Sequence, residues 1–280
     1  MDNTTSTLRC SIRALALALA LAMTTGAYAR AAASQPTSGE TSAGALKLHV
    51  PSPDWRDQVI YFLMTDRFAD GNPGNNDQGA NEFDPQNNAK YSGGDLKGIQ
   101  QHLDYIHGLG ATAVWITPPV ANQWWNTRIH YGGYHGYWAE DLMRVDAHLG
   151  TLQDYRELSH ALHSQGMYLV QDVVVNHMGD YSSYGDKWDE QDPTIGFQRI
   201  ADSNGMKAPT QAPFDQNDVR DPAQRKAGIY HWTPAITNYN DAGQLQDFQL
   251  ADLDDLDTEN PVVRDALRES YGFWIREVGV

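Results

Sequence analysis

The stretch MYLVQDVVVNH, residues 167–177, decides the fold class of this 280-residue chain. Its near-continuous apolar run is typical of a strand that is buried on both faces, as in a parallel sheet. Two similar runs precede it, VIYFLMT at 59–65 and TAVWIT at 112–117. Apolar residues at helical spacing predict helices between these strands, at 98–109 and 151–165. Strands that alternate with helices indicate an α/β protein whose parallel strands are joined by helical crossovers.

Two architectures fit this alternation, a doubly wound open sheet and a (β/α)8 barrel. No glycine-rich phosphate-binding pattern follows the first strand, which weakens the nucleotide-binding version of the open sheet. The residues alone leave both architectures open.

The alternation is interrupted after His177. Residues 178–249 are rich in Asp, Gly, Gln, Tyr and Pro and lack long periodic stretches. A loop of this length inside a compact domain is usually functional or an inserted subdomain. Helical periodicity returns at Asn260-Pro261, where proline at the first helical position predicts a helix start.

The N-terminus has the pattern of an export signal. Arg9 and Arg13 precede an apolar run at 14–23, and Ala27-Tyr28-Ala29 offers small residues where a signal peptidase cleaves. We predict a signal peptide over 1–29 and a secreted or periplasmic protein; an uncleaved anchor is disfavoured because the run is too short to span a bilayer. Residues 30–54, rich in Ala, Ser, Thr and Gly at their start, are predicted to be a flexible linker.

Composition limits the classes of partner. The formal net charge is −16, and so acidic a surface repels nucleic acid and anionic lipid. We therefore expect no nucleic-acid partner and no membrane partner after signal cleavage. The single cysteine, Cys10, lies in the predicted signal peptide. The acidic balance suits a neutral substrate and provides carboxylates for a hard cation.

Several segments in order carry a family resemblance. YHGYW at 134–138, DVVVNH at 172–177 and LADLD at 250–254 resemble signature regions of the α-amylase family, glycoside hydrolase family 13. VIYFLMTDRFADGNPGNN at 59–76 and YSGGDLKGI at 91–99 are similar to the start of the barrel in secreted amylases and cyclodextrin glucanotransferases. The resemblance covers about residues 55–280, nearly all of the predicted mature chain.

This resemblance implies a fold. It implies the N-terminal portion of a (β/α)8 TIM barrel, with strands 1–3 and their helices in 55–177 and a domain B inserted after strand three in 178–256. Residues 257–280 would form the helix that leads to strand four. Active sites of such barrels lie at the carboxyl ends of the strands, where the 134–138 and 172–177 segments are expected.

The resemblance also implies substrate-binding residues for an α-glucan such as starch or maltooligosaccharides. His135 and His177 would hydrogen-bond sugar hydroxyls, and Tyr137 would stack on a sugar ring. Trp138 would add an aromatic wall or only pack. Asp172 resembles a buried structural carboxylate. Trp124 and Trp125 are either outer sugar platforms or packing residues.

Calcium is the cofactor that the resemblance implies, at two sites. The first combines a turn rich in short oxygen-bearing side chains, which suits Ca²⁺, with a backbone carbonyl and a further carboxylate; its predicted ligands are Asp70, Asn72, Asn75, Asn76, Gly93 and Asp95. The second would lie between barrel and domain B and take Asn176 and Asp252.

The implied chemistry is a retaining glycoside hydrolysis of α-1,4-glucans with two carboxylates. By resemblance the nucleophile and the acid/base lie on later strands, beyond Val280, so the sequence offers no catalytic residue of its own. We expect an N-terminal fragment that is inactive on starch by itself. Alternatives are a cyclodextrin glucanotransferase-like transglycosylase and a non-catalytic glucan-binding remnant. The sequence leaves the oligomeric state open.

Overall fold

The computed structural model describes residues 48–280. The predicted signal peptide and most of the predicted linker lie outside the described residues. Within 48–280, no helix is both long enough and apolar enough to cross a membrane.

Residues 48–280 contain nine strands, most of them short. In chain order they are β1 (Ile60–Leu63), β2 (Ala113–Ile116), β3 (Val120–Asn122), β4 (Trp125–Asn126), β5 (Tyr131–Gly132), β6 (Ala139–Val145), β7 (Tyr168–Gln171), β8 (Ser182–Ser183) and β9 (Gln198–Arg199).

Seven α-helices accompany these strands in the described part of the chain. They are α1 (Thr65–Phe68), α2 (Leu96–Gln101), α3 (Leu103–Gly108), α4 (Leu152–Ser164), α5 (Pro222–Ala227), α6 (Ala242–Asp247) and α7 (Pro261–Glu277). Short 3₁₀ turns lie at Trp55–Asp57, Gly185–Lys187 and Leu250–Asp252.

A three-stranded parallel sheet forms the centre of the fold, in the order β1-β2-β7. Its register pairs Leu63 with Ile116 and Ile116 with Gln171. The three predicted strands are confirmed, but the first and third end earlier than predicted. The chain turns into α1 after Leu63, and β7 loses its partner because β2 stops before Pro118-Pro119, which cannot donate ladder hydrogen bonds.

The two faces of this sheet differ in burial. On one face Leu63, Val114 and Leu169 belong to a continuous buried core with side chains of α2, α3 and α4. On the other face Phe62 and Trp115 are 50% and 38% exposed, and their rings meet edge to face at a centroid distance of 4.9 Å. The helices therefore cover the sheet on one side only within the described residues.

The predicted helix over 98–109 is two helices. His102 interrupts it with φ −112° and ψ 16°, and its Nδ1 lies 2.8 Å from the carbonyl oxygen of Gly98. The imidazole thus competes with the backbone for the carbonyl four residues earlier, which breaks the helix. α2 itself starts earlier than predicted, at Leu96, because the buried Asp95 side chain caps it.

The other two predicted helices are confirmed. Thr151 and Asp154 form a capping box at the start of α4. Asn260 caps α7 and Pro261 is its first residue. α7 is fixed to the core by the buried Trp274, whose indole N–H donates to the carbonyl of Leu142 at 2.7 Å.

Residues 178–256, predicted to be domain B, contain only short elements: the β8–β9 pair, α5, α6 and two 3₁₀ turns. The two ends of this segment lie side by side. The N–H of Met178 donates to the carbonyl of Asp254 at 3.0 Å, and the N–H of Leu256 donates to that of Asn176 at 2.9 Å. The segment therefore leaves and rejoins the sheet at the same point.

The described end of the predicted linker contacts the rest of the fold. His49 Nε2 lies 2.8 Å from the carbonyl oxygen of Arg276, near the end of α7. The Asp54 side chain caps the 3₁₀ turn that follows. Order therefore begins before Trp55, where the prediction placed it.

Candidate functional site

The carboxyl ends of β1, β2 and β7 lie at one edge of the sheet because the three strands are parallel and in register. Three loops leave from this edge: 64–95 after β1, 117–151 after β2, and the residues from Asp172 onward after β7. All the predicted site residues except Asp252 lie in these loops. The edge is therefore the candidate functional site.

The structure brings the four predicted substrate residues together. The His135 ring lies against Tyr137, with centroids 5.6 Å apart and 21° between planes, and edge-on to Trp138 at 4.7 Å. His177 Nε2 lies 3.1 Å from the carbonyl oxygen of Tyr137. Tyr131, which the motif did not include, stacks near His135 at 6.3 Å.

Gly136 allows the turn that forms this cluster. Its φ is +86°, and a Cβ there would lie 2.2 Å from the carbonyl oxygen of Pro118. Only glycine combines that backbone conformation with so close an approach. The chain can therefore present His135 and Tyr137 from a single tight turn.

A carboxylate holds Tyr137 in place. The Tyr137 hydroxyl donates to Asp172 Oδ2 at 3.1 Å. Burial and the nearby Asp172 charge raise the pKa of Tyr137 to about 12, so the phenol stays protonated. Asp172, which the resemblance implied to be a buried structural carboxylate, is half-buried and orients Tyr137.

The two site histidines are neutral above mildly acidic pH. Burial, then the positive Arg67 and then His177, lower the pKa of His135 to about 4. Burial also lowers the pKa of His177 to about 4, although the Tyr137 carbonyl favours the charged form. A neutral imidazole has one nitrogen that donates and one that accepts. His135 Nδ1 accepts the N–H of Tyr137 at 3.0 Å, so its Nε2 is left to donate to a hydroxyl group. Both nitrogens of His177 already have partners, the Tyr137 carbonyl and the Asn176 amide.

A third histidine, His148, is buried between two carboxylates near this cluster. His148 is 1% exposed, stacks on Tyr91 at a centroid distance of 3.8 Å, and places Nδ1 at 2.8 Å from Asp146 and Nε2 at 3.1 Å from Glu82. Burial alone would lower the pKa of His148, but the charge and hydrogen bond of Asp146, then those of Glu82, raise it to about 9. This imidazole is therefore a buried cation.

The pKa of Glu82, one of the carboxylate partners of His148, is shifted in the opposite direction. Burial alone would raise the pKa of Glu82, but hydrogen bonds from His148 and from the N–H of Gln78 hold it at about 2. The ion pair joins the loop after β1 to the loop after β2. The sequence did not identify it, because Glu82 and His148 lie 66 positions apart and no local motif connects them.

A second link between these loops involves Arg67. Its guanidinium lies 3.7 Å from the Tyr134 ring centroid, and its Nε is 3.0 Å from Asp66 Oδ2. Asp66 also accepts the N–H groups of Ser92 and Gly93. Burial raises the pKa of Asp66 to about 6 despite these partners. Tyr134, next to His135, is thus anchored from the first loop.

The predicted first cation loop closes on itself. Asn76 Nδ2 donates to Asp70 Oδ2 at 2.7 Å. The Asn76 amide packs on Gly93, where φ is +97° and a Cβ would lie 2.6 Å from Nδ2. The Oδ1 atoms of Asn75 and Asn76 are buried without a hydrogen-bond partner. Buried amide oxygens are rarely left unpaired, and these two have the chemistry of hard-cation ligands.

Asp95 and Asn72 are already engaged. Asp95 Oδ1 accepts the N–H groups of Gly71 at 3.1 Å and Gly98 at 2.6 Å, and its Oδ2 accepts that of Asn72 at 2.8 Å. Asn72 Oδ1 accepts the N–H of Gly74. Asp95 therefore anchors the loop on the start of α2, while Asn75 and Asn76 provide the unpaired oxygens.

At the predicted second cation site, the carboxylate beside Asn176 is Asp255. Asn176 Nδ2 donates to Asp255 Oδ1 at 3.2 Å. Asp252 instead forms an ion pair with Arg128 at 3.2 Å, and Arg128 also binds Asp180. In the structure Asn176 therefore contacts Asp255 and not Asp252; the two carboxylates belong to two successive Asp-Leu pairs, at 252–253 and 255–256.

Asp255 also contacts a histidine that the sequence did not single out. His231 Nδ1 lies 2.6 Å from Asp255 Oδ2, and its Nε2 is 3.8 Å from Asp257 and 3.5 Å from Glu259. The hydrogen bond to Asp255, reinforced by the surrounding carboxylates, raises the pKa of His231. The imidazole therefore balances part of the acidic charge in this region.

Known proteins resemble the chain over most of its length. A family model described as "Alpha amylase, catalytic domain" matches residues 62–280. A cyclomaltodextrin glucanotransferase of Klebsiella oxytoca is 36% identical over 79% of this chain and 31% of its own length. An α-amylase of Streptomyces lividans is 31% identical over 71% of this chain and 24% of its own. The crystal structure of an Anoxybacillus α-amylase matches with a TM-score of 0.59 at 34% identity, over 82% of this chain and 40% of that one.

These matches define the class of the protein: it is an α/β chain of the glycoside hydrolases that have a barrel fold. The chain belongs to the α-amylase family, whose catalytic domain it matches from residue 62 to residue 280. Its three parallel strands are the first strands of a (β/α)8 barrel. Of the two architectures that the residues alone left open, the barrel is therefore confirmed and the doubly wound sheet is not. The chain spans between about a quarter and a third of the length of the curated relatives named above. The individual site roles stay predictions.

The His148 ion pair predicts a pH dependence of stability. The pKa of His148 is about 9, above its ordinary 6.5, so its contribution is complete below about pH 6.5 and is lost as pH rises through 9. The pKa of Glu82 is about 2, below its ordinary 4.5, so its contribution is present above about pH 4.5 and is lost as pH falls through 2. We expect His148→Gln to cost about 3 kcal/mol between these limits.

The measurement is the free energy of unfolding of the natural full-length protein and the variant by chemical denaturation from pH 4 to 9.5. His160→Gln, at an exposed position of α4, is the matched control. Its free energy of unfolding should differ little from that of the wild type. A difference between wild type and His148→Gln that stays constant up to pH 9.5 would contradict the ion pair.

Proposed function

We propose that this chain forms the substrate-binding front part of the catalytic domain of an enzyme that hydrolyses α-1,4-glucans such as starch and maltooligosaccharides. The observation that carries the proposal is the contact of His135, Tyr137, Trp138 and His177 at the carboxyl edge of the sheet. Barrel enzymes place their active sites at this edge. Family membership and the relatives' names support the same conclusion.

The chemistry of these side chains suits a neutral sugar. Aromatic rings such as Tyr137 offer apolar faces for the C–H groups of a pyranose. The neutral His135 offers its Nε2–H to a hydroxyl, and His177, whose Nε2 binds the Tyr137 carbonyl, holds this turn in place. Tyr137 is oriented by Asp172, so the platform is held before a ligand arrives. These residues bind and orient the substrate.

The bond-breaking carboxylates are proposed to lie outside residues 48–280. In a retaining mechanism one carboxylate attacks the sugar carbon, and a second protonates the leaving oxygen and then activates water. Within the cluster, Asp172 is committed to Tyr137 and is not assigned to either role. The described residues contain three barrel strands, and the proposal assigns both carboxylates to later strands.

A transglycosylase is the second candidate function. The support is that a cyclomaltodextrin glucanotransferase is among the similar proteins, at 36% identity. The sequence after β1 also resembles that group. Product analysis of the natural full-length protein separates the two: linear maltooligosaccharides indicate a hydrolase, and cyclic products indicate a glucanotransferase.

We also propose two calcium sites. Asp70, Asn75, Asn76 and the Gly93 carbonyl would hold the first ion, and the unpaired oxygens of Asn75 and Asn76 support this assignment. For the second, Asp255 replaces Asp252 as the partner of Asn176, because the two are in contact. A bound calcium would supply structural crosslinks between loops.

Two further proposals rest on sequence and family. Residues 178–256 are proposed to be the inserted domain B, since both ends of this segment lie together beside β7. Export by the signal peptide over 1–29 is proposed from its charged start, apolar run and small-residue site. N-terminal sequencing of the protein from culture medium tests the cleavage after Ala29.

His177→Ala tests the proposed substrate site. The variant removes the imidazole that holds the Tyr137 turn and that is proposed to contact the sugar. We therefore expect kcat/KM for maltoheptaose to fall by roughly 10- to 100-fold in the natural full-length protein. His107→Gln, at an exposed position of α3, is the control and should retain wild-type kinetics. Equal activity of His177→Ala and wild type would refute the assignment.

Asn76→Ala tests the first calcium site. An ion that binds only the folded protein stabilises it, so chelation should lower the unfolding midpoint of the wild type. In the variant the number of bound calcium ions, counted by native mass spectrometry, should fall by one, and the chelation effect should shrink. Asn88→Ala, at an exposed position of the same loop, is the control. An unchanged ion count in Asn76→Ala would exclude the site.

A further inference from the structure

A small cavity lies inside the segment 178–256. It leaves about 10 Å³ for the centre of a water molecule, which matches the roughly 10–15 Å³ that one water needs. All the residues that line it are buried, and they come from three stretches of the segment: Ser182, Tyr230, Trp232, Thr233, Gln249, Asp254 and Asp255. Of these residues only Asp255 has a role in the sites described above.

Three of the lining residues carry a polar atom that has no hydrogen-bond partner within residues 48–280. The atoms are Asp254 Oδ2, Gln249 Oε1 and Trp232 Nε1. Their residues are 2%, 4% and 9% exposed, so bulk solvent does not satisfy them. A buried polar atom without a partner is costly and rare in native proteins. Three of them around one cavity therefore indicate a bound partner that all three share.

The neighbouring polar groups are already engaged. Asp254 Oδ1 accepts the N–H and the hydroxyl of Ser182, at 3.0 and 2.7 Å. The Tyr230 hydroxyl donates to the carbonyl of Phe214, and both oxygens of Asp255 accept hydrogen bonds. The side chains around the cavity therefore leave the three atoms to another molecule.

The orientation of the Gln249 amide follows from its contacts. Its nitrogen lies 3.4 Å from Ser182 Oγ and 3.5 Å from Asp254 Oδ1. Beside a carboxylate oxygen the amide places its donor and not its acceptor. The unpaired atom of Gln249 is therefore its carbonyl oxygen, which can only accept.

Trp232 is held beside the cavity by its own neighbours. Its φ is +57°, a backbone conformation that bulky residues seldom adopt. Its carbonyl accepts the indole N–H of Trp188 at 3.0 Å, and its ring packs on Tyr230 at a centroid distance of 5.4 Å. The backbone and the ring are thus both fixed, and the indole N–H stays with the cavity.

The three atoms define the chemistry of the occupant. An ionised Asp254 and the Gln249 oxygen accept hydrogen bonds, whereas the Trp232 N–H only donates. A water molecule donates two hydrogen bonds and accepts two, so it satisfies all three atoms at once, and about three is the usual number for a buried water. If Asp254 is protonated, its hydroxyl donates to the second lone pair of the water. A metal cation would instead face the positive end of the indole N–H.

We propose that this cavity binds one water molecule, which bridges Asp254, Gln249 and Trp232. The backbone already joins the same two stretches of chain, since the N–H of Gln249 donates to the carbonyl of Pro234 at 3.0 Å. The water would add a side-chain link between them. Because residues 178–256 contain only short elements, a water of this kind would be part of the core of the segment. The inference is independent of the proposed function.

The first test is a high-resolution crystal structure of the natural full-length protein. We expect one ordered water within about 3.2 Å of all three atoms. A cavity without electron density would overturn the proposal. So would a metal ion with oxygen ligands at about 2.3–2.6 Å.

Gln249→Met is the second test, because methionine has a similar length and volume but no carbonyl oxygen. If the water is present, the variant leaves it short of one partner, and the midpoint of thermal unfolding should fall by roughly 2–4 °C. In a dry cavity the same change removes an unsatisfied polar atom, so the midpoint should rise or stay unchanged.

The matched control is Gln191→Met, at an exposed position of the same segment, which should keep the wild-type midpoint. A midpoint of Gln249→Met that equals or exceeds that of the wild type would overturn the bound water. If Gln249→Met does not fold, the crystal structure of the wild type decides.

Discussion

Parallel, in-register pairing of three four-residue strands is the constraint on which the other features depend. Leu63, Ile116 and Gln171 end their strands at one level, so the three following loops leave from a single edge. Strands this short provide little surface of their own. The loops, which are much longer, therefore need additional contacts to keep their positions, and the functional groups lie in these loops.

Those contacts are largely buried polar groups, and they give histidine two opposite states. His148, between Asp146 and Glu82, is kept charged and ties two loops together. His135 and His177, buried beside aromatic rings and a carbonyl, are kept neutral. The neighbouring charges, not the residue type, decide the protonation state. A charged imidazole and two neutral ones thus coexist in the loops at one edge of the sheet.

The sequence predicts what depends on local pattern and misses what depends on distant partners. The three strands and the start of α7 follow from apolar runs and from Asn260-Pro261. The break at His102 depends on a side-chain contact with the Gly98 carbonyl, which periodicity does not encode. No sequence motif indicates the Glu82–His148 ion pair, because its members lie 66 positions apart. At the proposed second cation site the sequence indicated Asp252, whereas Asn176 contacts Asp255, and no local pattern predicts that contact.

The two faces of the sheet have different roles in the fold. Leu63 and Val114 pack under the helices on the covered face, while Phe62 and Trp115 occupy the face that fills the interior of a (β/α)8 barrel. The loop anchors described above, such as the His148 ion pair, use neither of the exposed rings. The geometry of the loops at the carboxyl edge is therefore set by the covered face and by loop-to-loop contacts. Packing against Phe62 and Trp115 in the barrel interior affects a different property, the stability of the sheet that carries those loops.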